Sequence, residues 1–209
     1  MGREFGQRHR WAWGLALAFM PAMTAAQANS SAAVSGVAGG FSSRFIPMEI
    51  FSRMMERPED NRDLTFKIAA PVDSVWVALT EVMKQFDIPV GYADRAAGEM
   101  GTVKTKMYKR LGKTSLSDFL RCGEGSSGPN ADMYVVYVSV ATFVKAGADG
   151  QTTVAAFMGG DAVDLPNGRN DVVPCTSSGQ FESKFAAALK KRMLNQIVST
   201  KAKPAGGQE

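Results

Sequence analysis

Two neighbouring segments constrain this chain more than any other: "DMYVVYVSVATFVKA" at 132–146 and "QTTVAAFMGGDAV" at 151–163, joined by "GADG". Asp149-Gly150 suits a tight turn between antiparallel strands, because glycine accepts the positive φ that such turns need. Along the first segment Tyr134, Val136, Val138, Val140, Thr142 and Val144 share one face, while Met133, Val135, Tyr137, Ala141 and Phe143 share the other. Both faces are largely apolar. A sheet with this pattern needs something on each side of it, at least in part.

The flanking segments supply further elements. "LTFKIAA" at 64–70 alternates as a half-buried strand that Pro71 stops. Asp73 or Ser74 is placed to cap a helix in which Val75, Trp76, Leu79, Val82, Met83 and Phe86 recur every three or four residues. "IPVGYAD" from Ile88 and "GTVKTKMY" from Gly101 read as two strands with "RAAGE" as their connection. After "VVPCTSSGQ", read as a loop, Phe181, Phe185, Ala188, Leu189, Arg192, Met193, Gln196 and Ile197 lie on one face of a long helix, broken only by Arg192 and Gln196. Ser177, Ser178 or Gly179 would cap it, with Glu182 in the first turn. The expected order is β-α-β-β-β-β-α: an α+β fold with a curved antiparallel sheet of four to five strands against a long C-terminal helix.

Before the first strand, 29–62 is rich in Ser, Ala and Gly, then acidic, and reads as a flexible leader. Within it Ile46, Ile50, Phe51 and Met54 have helical spacing, which suits docking as a short helix on the chain's own domain or on a partner. Residues 1–28 read as a secretory signal: Arg3, Arg8 and Arg10 precede an apolar run, and Ala26-Gln27-Ala28 gives a small-x-small cleavage pattern. Pro21 ends that run well short of the roughly 20 residues of a membrane span. A single domain is expected at 63–199, with a disordered tail at 200–209.

Without the signal's three arginines and one glutamate, the 24 basic and 20 acidic residues become 21 and 19. So near-neutral a chain is not that of a nucleic-acid binder, whose basic face carries interleaved aromatics. Lys104, Lys106, Lys109, Arg110 and Lys113 form the one dense basic cluster, read as a solvated strand and loop. The single histidine, His9, belongs to the signal, which removes the commonest general base and zinc ligand from the mature chain. Cys122 and Cys175 are expected to pair after export. Closing a loop of that length contributes about 4 kcal/mol in the chain-entropy account.

"GKTS" at 112–115 ends like a phosphate-binding loop, but Met107 stands where that loop needs its first glycine, so no nucleotide is expected. Ser115 or Ser117 with Lys113 as base would make a Ser/Lys hydrolase only if the lysine were buried, and its loop is polar. "DAVDLPNGRND" at 161–171 has oxygen ligands without calcium-loop spacing. No catalytic, cofactor or metal residues are assigned.

The β-α-β-β-β-β-α order, with "APVDSVWVALTEVMKQFDIPVGYADRAAGEMGT" at 70–102, resembles helix-grip domains, and more narrowly those of the BamC-type subunit of the bacterial outer-membrane barrel assembly machinery. The resemblance implies a helix gripped by an antiparallel sheet and a role in protein contacts or apolar-ligand binding. The lipid-anchor cysteine of that family is not found near the predicted cleavage site, nor is its second domain. Two functions are therefore expected in parallel. The first is an exported, periplasmic or secreted, non-catalytic envelope protein that contacts another envelope protein as an assembly or scaffold module. The alternative is a carrier with an apolar pocket between C-terminal helix and sheet, lined by Tyr137, Phe143, Phe157, Phe185 and Leu189.

Overall fold

A computed structural model describes residues 41–55, 65–147, 150–165, 168 and 170–202. The predicted signal lies outside these, as does the tail beyond Ala202. In chain order α1 (Met48–Met55), β1 (Thr65–Ile68), α2 (Val72–Gln85), β2 (Tyr92–Asp94) and β3 (Glu99–Tyr108) come first. Short elements follow: β4 (Arg110–Leu111), β5 (Thr114–Ser115), α3 (Leu116–Phe119), β6 (Leu120–Arg121), β7 (Glu124–Gly125), β8 (Gly128–Pro129) and α4 (Asn130–Met133). The long pair β9 (Val135–Ala146) and β10 (Thr152–Val163), then β11 (Val172–Ser177) and α5 (Gln180–Ala202), complete the chain.

The fold is α+β, and every strand pairing among the described residues is antiparallel. The main sheet has seven strands, ordered β2-β3-β9-β10-β11-β6, with β1 also on β10. That exceeds the four to five expected, because "VVPCTSSGQ" is not simply loop: Val172–Ser177 pairs with both β10 and β6. Pro174 and the Ser/Thr content hide this strand from its periodicity. β1 and β11 share one edge of β10, β1 along Thr152 to Ala155 and β11 along Gly160 to Val163. In the interval between them the buried Glu182 carboxylate accepts the Met158 N–H at 3.3 Å and the Ser177 hydroxyl at 2.7 Å. A side chain from the last helix thus takes the place of a missing strand.

β9 and β10 carry cores on both sides. On one side Val136, Val138, Val140, Val154, Ala156 and Met158 meet α2 and α5, including Trp76, Leu79, Phe181, Phe185 and Leu189. Trp76 is a core residue, as its spacing predicts. Pro71, rather than Asp73 or Ser74, occupies the cap position of α2, with no side-chain cap bond. At α5 the Ser178 hydroxyl accepts the Gln180 N–H at 3.3 Å, as expected of a cap.

On the other side Ala141, Phe143, Ala155 and Phe157 pack against Phe41, Ile46, Ile50, Phe51 and Met54. The described part of the expected flexible leader is therefore packed chain, docked on its own domain, because its helical apolar spacing matches an apolar sheet face. Phe51 stands edge-on to Phe143 and Phe157 at centroid distances of 5.8 and 5.6 Å. Gly159 permits the approach, since a β-carbon there would lie 2.5 Å from Met54 Cγ. Two polar ties fix the segment. The buried Glu99 carboxylate accepts the Ser43 hydroxyl at 2.5 Å, the Arg44 N–H at 3.2 Å and the Tyr92 hydroxyl at 3.2 Å. Arg53 meets Asp161 at 2.8 Å. Burial, and then the Glu99 charge, push the Tyr92 phenol pKa well above its ordinary range, so that it remains a neutral donor.

Replacing Phe51→Ala should remove about 3–5 kcal/mol of unfolding free energy in urea. A loss under about 1 kcal/mol would mean that α1 is not part of the folded core.

Candidate functional site

The residues singled out for chemistry hold structural posts. Gly112 and Lys113 form the turn of the β4–β5 hairpin, with Gly112 at φ 58 and Lys113 exposed. The hydroxyls of Ser115 and Ser117 donate to the Asp132 carboxylate at 2.7 and 2.6 Å, and the Ser117 N–H donates to it at 3.0 Å. Burial opposes the charge on Asp132, but both hydroxyls, the amide and nearby Arg110 outweigh it and hold the carboxyl pKa below its ordinary range. These contacts brace the loop before β9.

Cys122 and Cys175 lie at disulfide distance, S–S 2.04 Å across a separation of 53 residues, and both are buried. With the β6–β11 pairing they fasten that loop to the sheet beside α5. Of the loop expected to have oxygen ligands, Asp161 is committed to Arg53 and Asp164 is buried. Among the described residues no acidic, cysteine or histidine cluster suited to a metal occurs.

The five residues expected to line an apolar pocket do not converge. Phe185 and Leu189 belong to the α2–α5 core, whereas Phe143 and Phe157 belong to the α1 core on the opposite face, which Tyr137 also faces. The reason is the period of two: Phe143, Phe157 and Tyr137 all point away from the terminal helix. Between α5 and β1 there is instead a cleft of 260 Å³ lined by Lys67, Ile68, Ala69, Lys190, Met193 and Leu194. A second, of 490 Å³, lies between the end of α2 and the β4–β5 turn, beside Asp87 and Lys113.

Among the described residues, the most distinctive surface is the part of the sheet that α1 does not reach. Register aligns Tyr108, Val135, Val163 and Val172 directly across β3, β9, β10 and β11, so the four side chains form one row on the α1 side. The adjoining row is Lys106, Tyr137, Asp161 and Pro174. Val172 is 60% exposed and Tyr108 50%, Val163 is half-buried, and Val135 between them is buried at 8% exposure. Met133 and Leu165, just before β9 and just after β10, are exposed as well.

A β-bulge brings Tyr108 into this row. The β3–β9 register shifts between Thr102 and Thr105, where Lys104 takes φ 50. The Thr102 and Thr105 hydroxyls lie 2.6 Å apart, and the buried Ser139 hydroxyl accepts the Lys104 N–H at 3.0 Å. Before the bulge the even-numbered Met100 and Thr102 pair with Thr142 and Val140, whose side chains face α2 and α5. After it, Lys106 and Tyr108 pair with Tyr137 and Val135 and have changed face, while Met107 packs toward the helical core. Plain alternation through "GTVKTKMY" carries no trace of the shift. Positive φ at Lys104 is a property that lysine identity does not announce.

No protein-family model and no curated protein matches the chain.

Replacing Ser139→Ala should leave the Lys104 N–H without its acceptor and cost about 1–3 kcal/mol in denaturant unfolding. An unchanged midpoint would show that the bulge does not depend on this bond.

Proposed function

We propose that this chain is an exported, non-catalytic envelope protein that acts as a protein-interaction or assembly module, and that the open half of its sheet is the docking surface. The observation that carries the reading is the apolar row beside α1 in which Tyr108 and Val172 are exposed and Val163 half-buried, lying over the buried Val135 and next to the polar row of Lys106 and Asp161. Contiguous apolar surface of this kind marks interaction sites on soluble proteins. The Cys122–Cys175 pair favours an oxidising compartment, in keeping with a Sec-type signal cleaved after Ala28 and a periplasmic or secreted destination. No described helix is long and apolar enough to cross a membrane. The helix-grip reading, and with it kinship to BamC-type modules, is supported by α2 and α5 lying together against one face of an antiparallel sheet.

The carrier reading retains one observation, the cleft between β1 and α5. At 260 Å³ it is smaller than the roughly 300 Å³ at which ligand pockets begin. Aromatic side chains fill the space further along the helix: Phe86, Phe119, Phe181 and Phe185 meet edge-on or tilted, with ring centroids 5.3 to 6.1 Å apart. The interaction reading is therefore preferred.

The test is site-specific photo-cross-linking in the exporting cell. A photo-reactive phenylalanine at position 108 should yield a discrete adduct with an envelope protein, and the same group at exposed position 77 on α2 should not. Failure at 108, or equal adducts at both positions, would refute the docking surface. A lipid retained by the purified exported chain in native mass spectrometry would favour the carrier instead.

A further inference from the structure

Resting on the docking surface proposed above, we infer that its partner is an amphipathic helix whose apolar stripe is flanked by carboxylates, lying with its acidic side over β3. Three features of the surface point to this ligand class. The first is continuity with an interface already formed. Beside the open row, the same face accepts α1, an amphipathic helix that places Ile50, Phe51 and Met54 on the sheet and a charged residue, Arg53, on Asp161. The face is thus built to take a helix, using apolar side chains in its middle and a single ion pair at the boundary.

The second is size. The row crosses four adjacent strands, so its outer members lie about 14 Å apart at the usual strand spacing. An α-helix with its side chains is about 10–12 Å across. One helix fits between the exposed Tyr108 and Val172, with one flank at the β3 rim and the other at the β11 rim.

The third is charge, and it is directional. Lys106 stands on the docking face next to Tyr108, the Lys109 Nζ lies 5.0 Å from the centre of the Tyr108 ring, and Arg110 is exposed one residue further on. These are the residues of the basic cluster seen in the sequence, and the bulge at Lys104 is what turns Lys106 toward the docking face. The carboxylates nearby are placed differently. Asp161 is neutralised by Arg53, Asp132 is held by two serine hydroxyls, and Asp171 is exposed at the opposite rim beside Val172. A helix with carboxylates on one flank is drawn to the β3 rim and turned away from the β11 rim, which sets its orientation as well as its affinity. A uniformly basic ligand would meet like charge at Lys106.

The probes are two helical peptides with the same Leu stripe, one flanked by Glu and the other by Lys, titrated into the chain comprising residues 29–209 and followed by backbone and methyl NMR. The Glu-flanked peptide should bind at least about tenfold more tightly at low salt, weaken several-fold as salt rises from about 50 to about 300 mM, and shift signals of Tyr108, Val135, Val163 and Val172. Lys106→Glu, at an exposed position that leaves the fold intact by circular dichroism, should narrow or reverse the preference. Equal or tighter binding of the Lys-flanked peptide, with shifts on the same row, would overturn the acidic partner while leaving the docking surface standing. Shifts confined to other surfaces, binding of neither peptide, or a cross-link from position 108 to residues 56–64 of the same chain would overturn this inference. An envelope adduct at position 108 that persists in those cases would show that the broader interaction reading survives without it.

Discussion

The hairpin of β9 and β10 sets the terms for every other element. Two strands of twelve residues, apolar on both sides, cannot face water, and their register places both sets of side chains unambiguously. One face is buried by α2 and α5, and the other by a segment from the far N-terminal side of the sheet. Burying apolar surface contributes about 25 cal/mol per Å², so leaving either face bare would be heavily destabilising. The two cores are independent in composition and share only the backbone between them.

From this follows the asymmetry that matters for function. α2 and α5 extend along their face of the sheet, whereas α1 has eight residues and reaches only as far as Asp161 and Gly159. The remaining row is neither core nor ordinary surface. Tyr108 in this row and Lys106 in the adjoining one stand on that side because β3 contains one extra residue at Lys104, held by Ser139 and by the Thr102–Thr105 hydroxyl contact. A bulge costs a regular ladder bond, yet here its N–H has a partner, so the change of face is made with little loss.

Much of the scaffold was legible in the residues. The period of two in 132–146 and 151–163, and the helical spacing of Val75 through Phe86 and of Phe181 through Met193, predict the elements that the structure contains. Ile46, Ile50, Phe51 and Met54 already marked a docking helix within a leader that looked unstructured by composition. The Cys122–Cys175 pairing was expected from there being two cysteines and a first segment that reads as an export signal. Less visible was anything that depends on non-local pairing. Pro174 disguised β11, and nothing in "LTFKIAA" indicates that it pairs with β10. The expected pocket failed because residues grouped by proximity in a sequence reading fell on opposite faces, Phe143 and Phe157 against Phe185 and Leu189. The open row was hidden most deeply, since it is assembled from four strands and depends on a bulge that leaves no compositional mark.

The central claim, that the Tyr108, Val163 and Val172 side chains are left open to solvent beside α1 among the described residues, is tested most directly by solvent paramagnetic relaxation at valine methyls in the chain comprising residues 29–209. Val163 and Val172 should relax strongly with an added soluble paramagnet, while Val138, Val140 and Val154 stay protected under the helices. Equal protection of all five would mean that the row is covered by the chain itself, and the account of a docking surface would be contradicted.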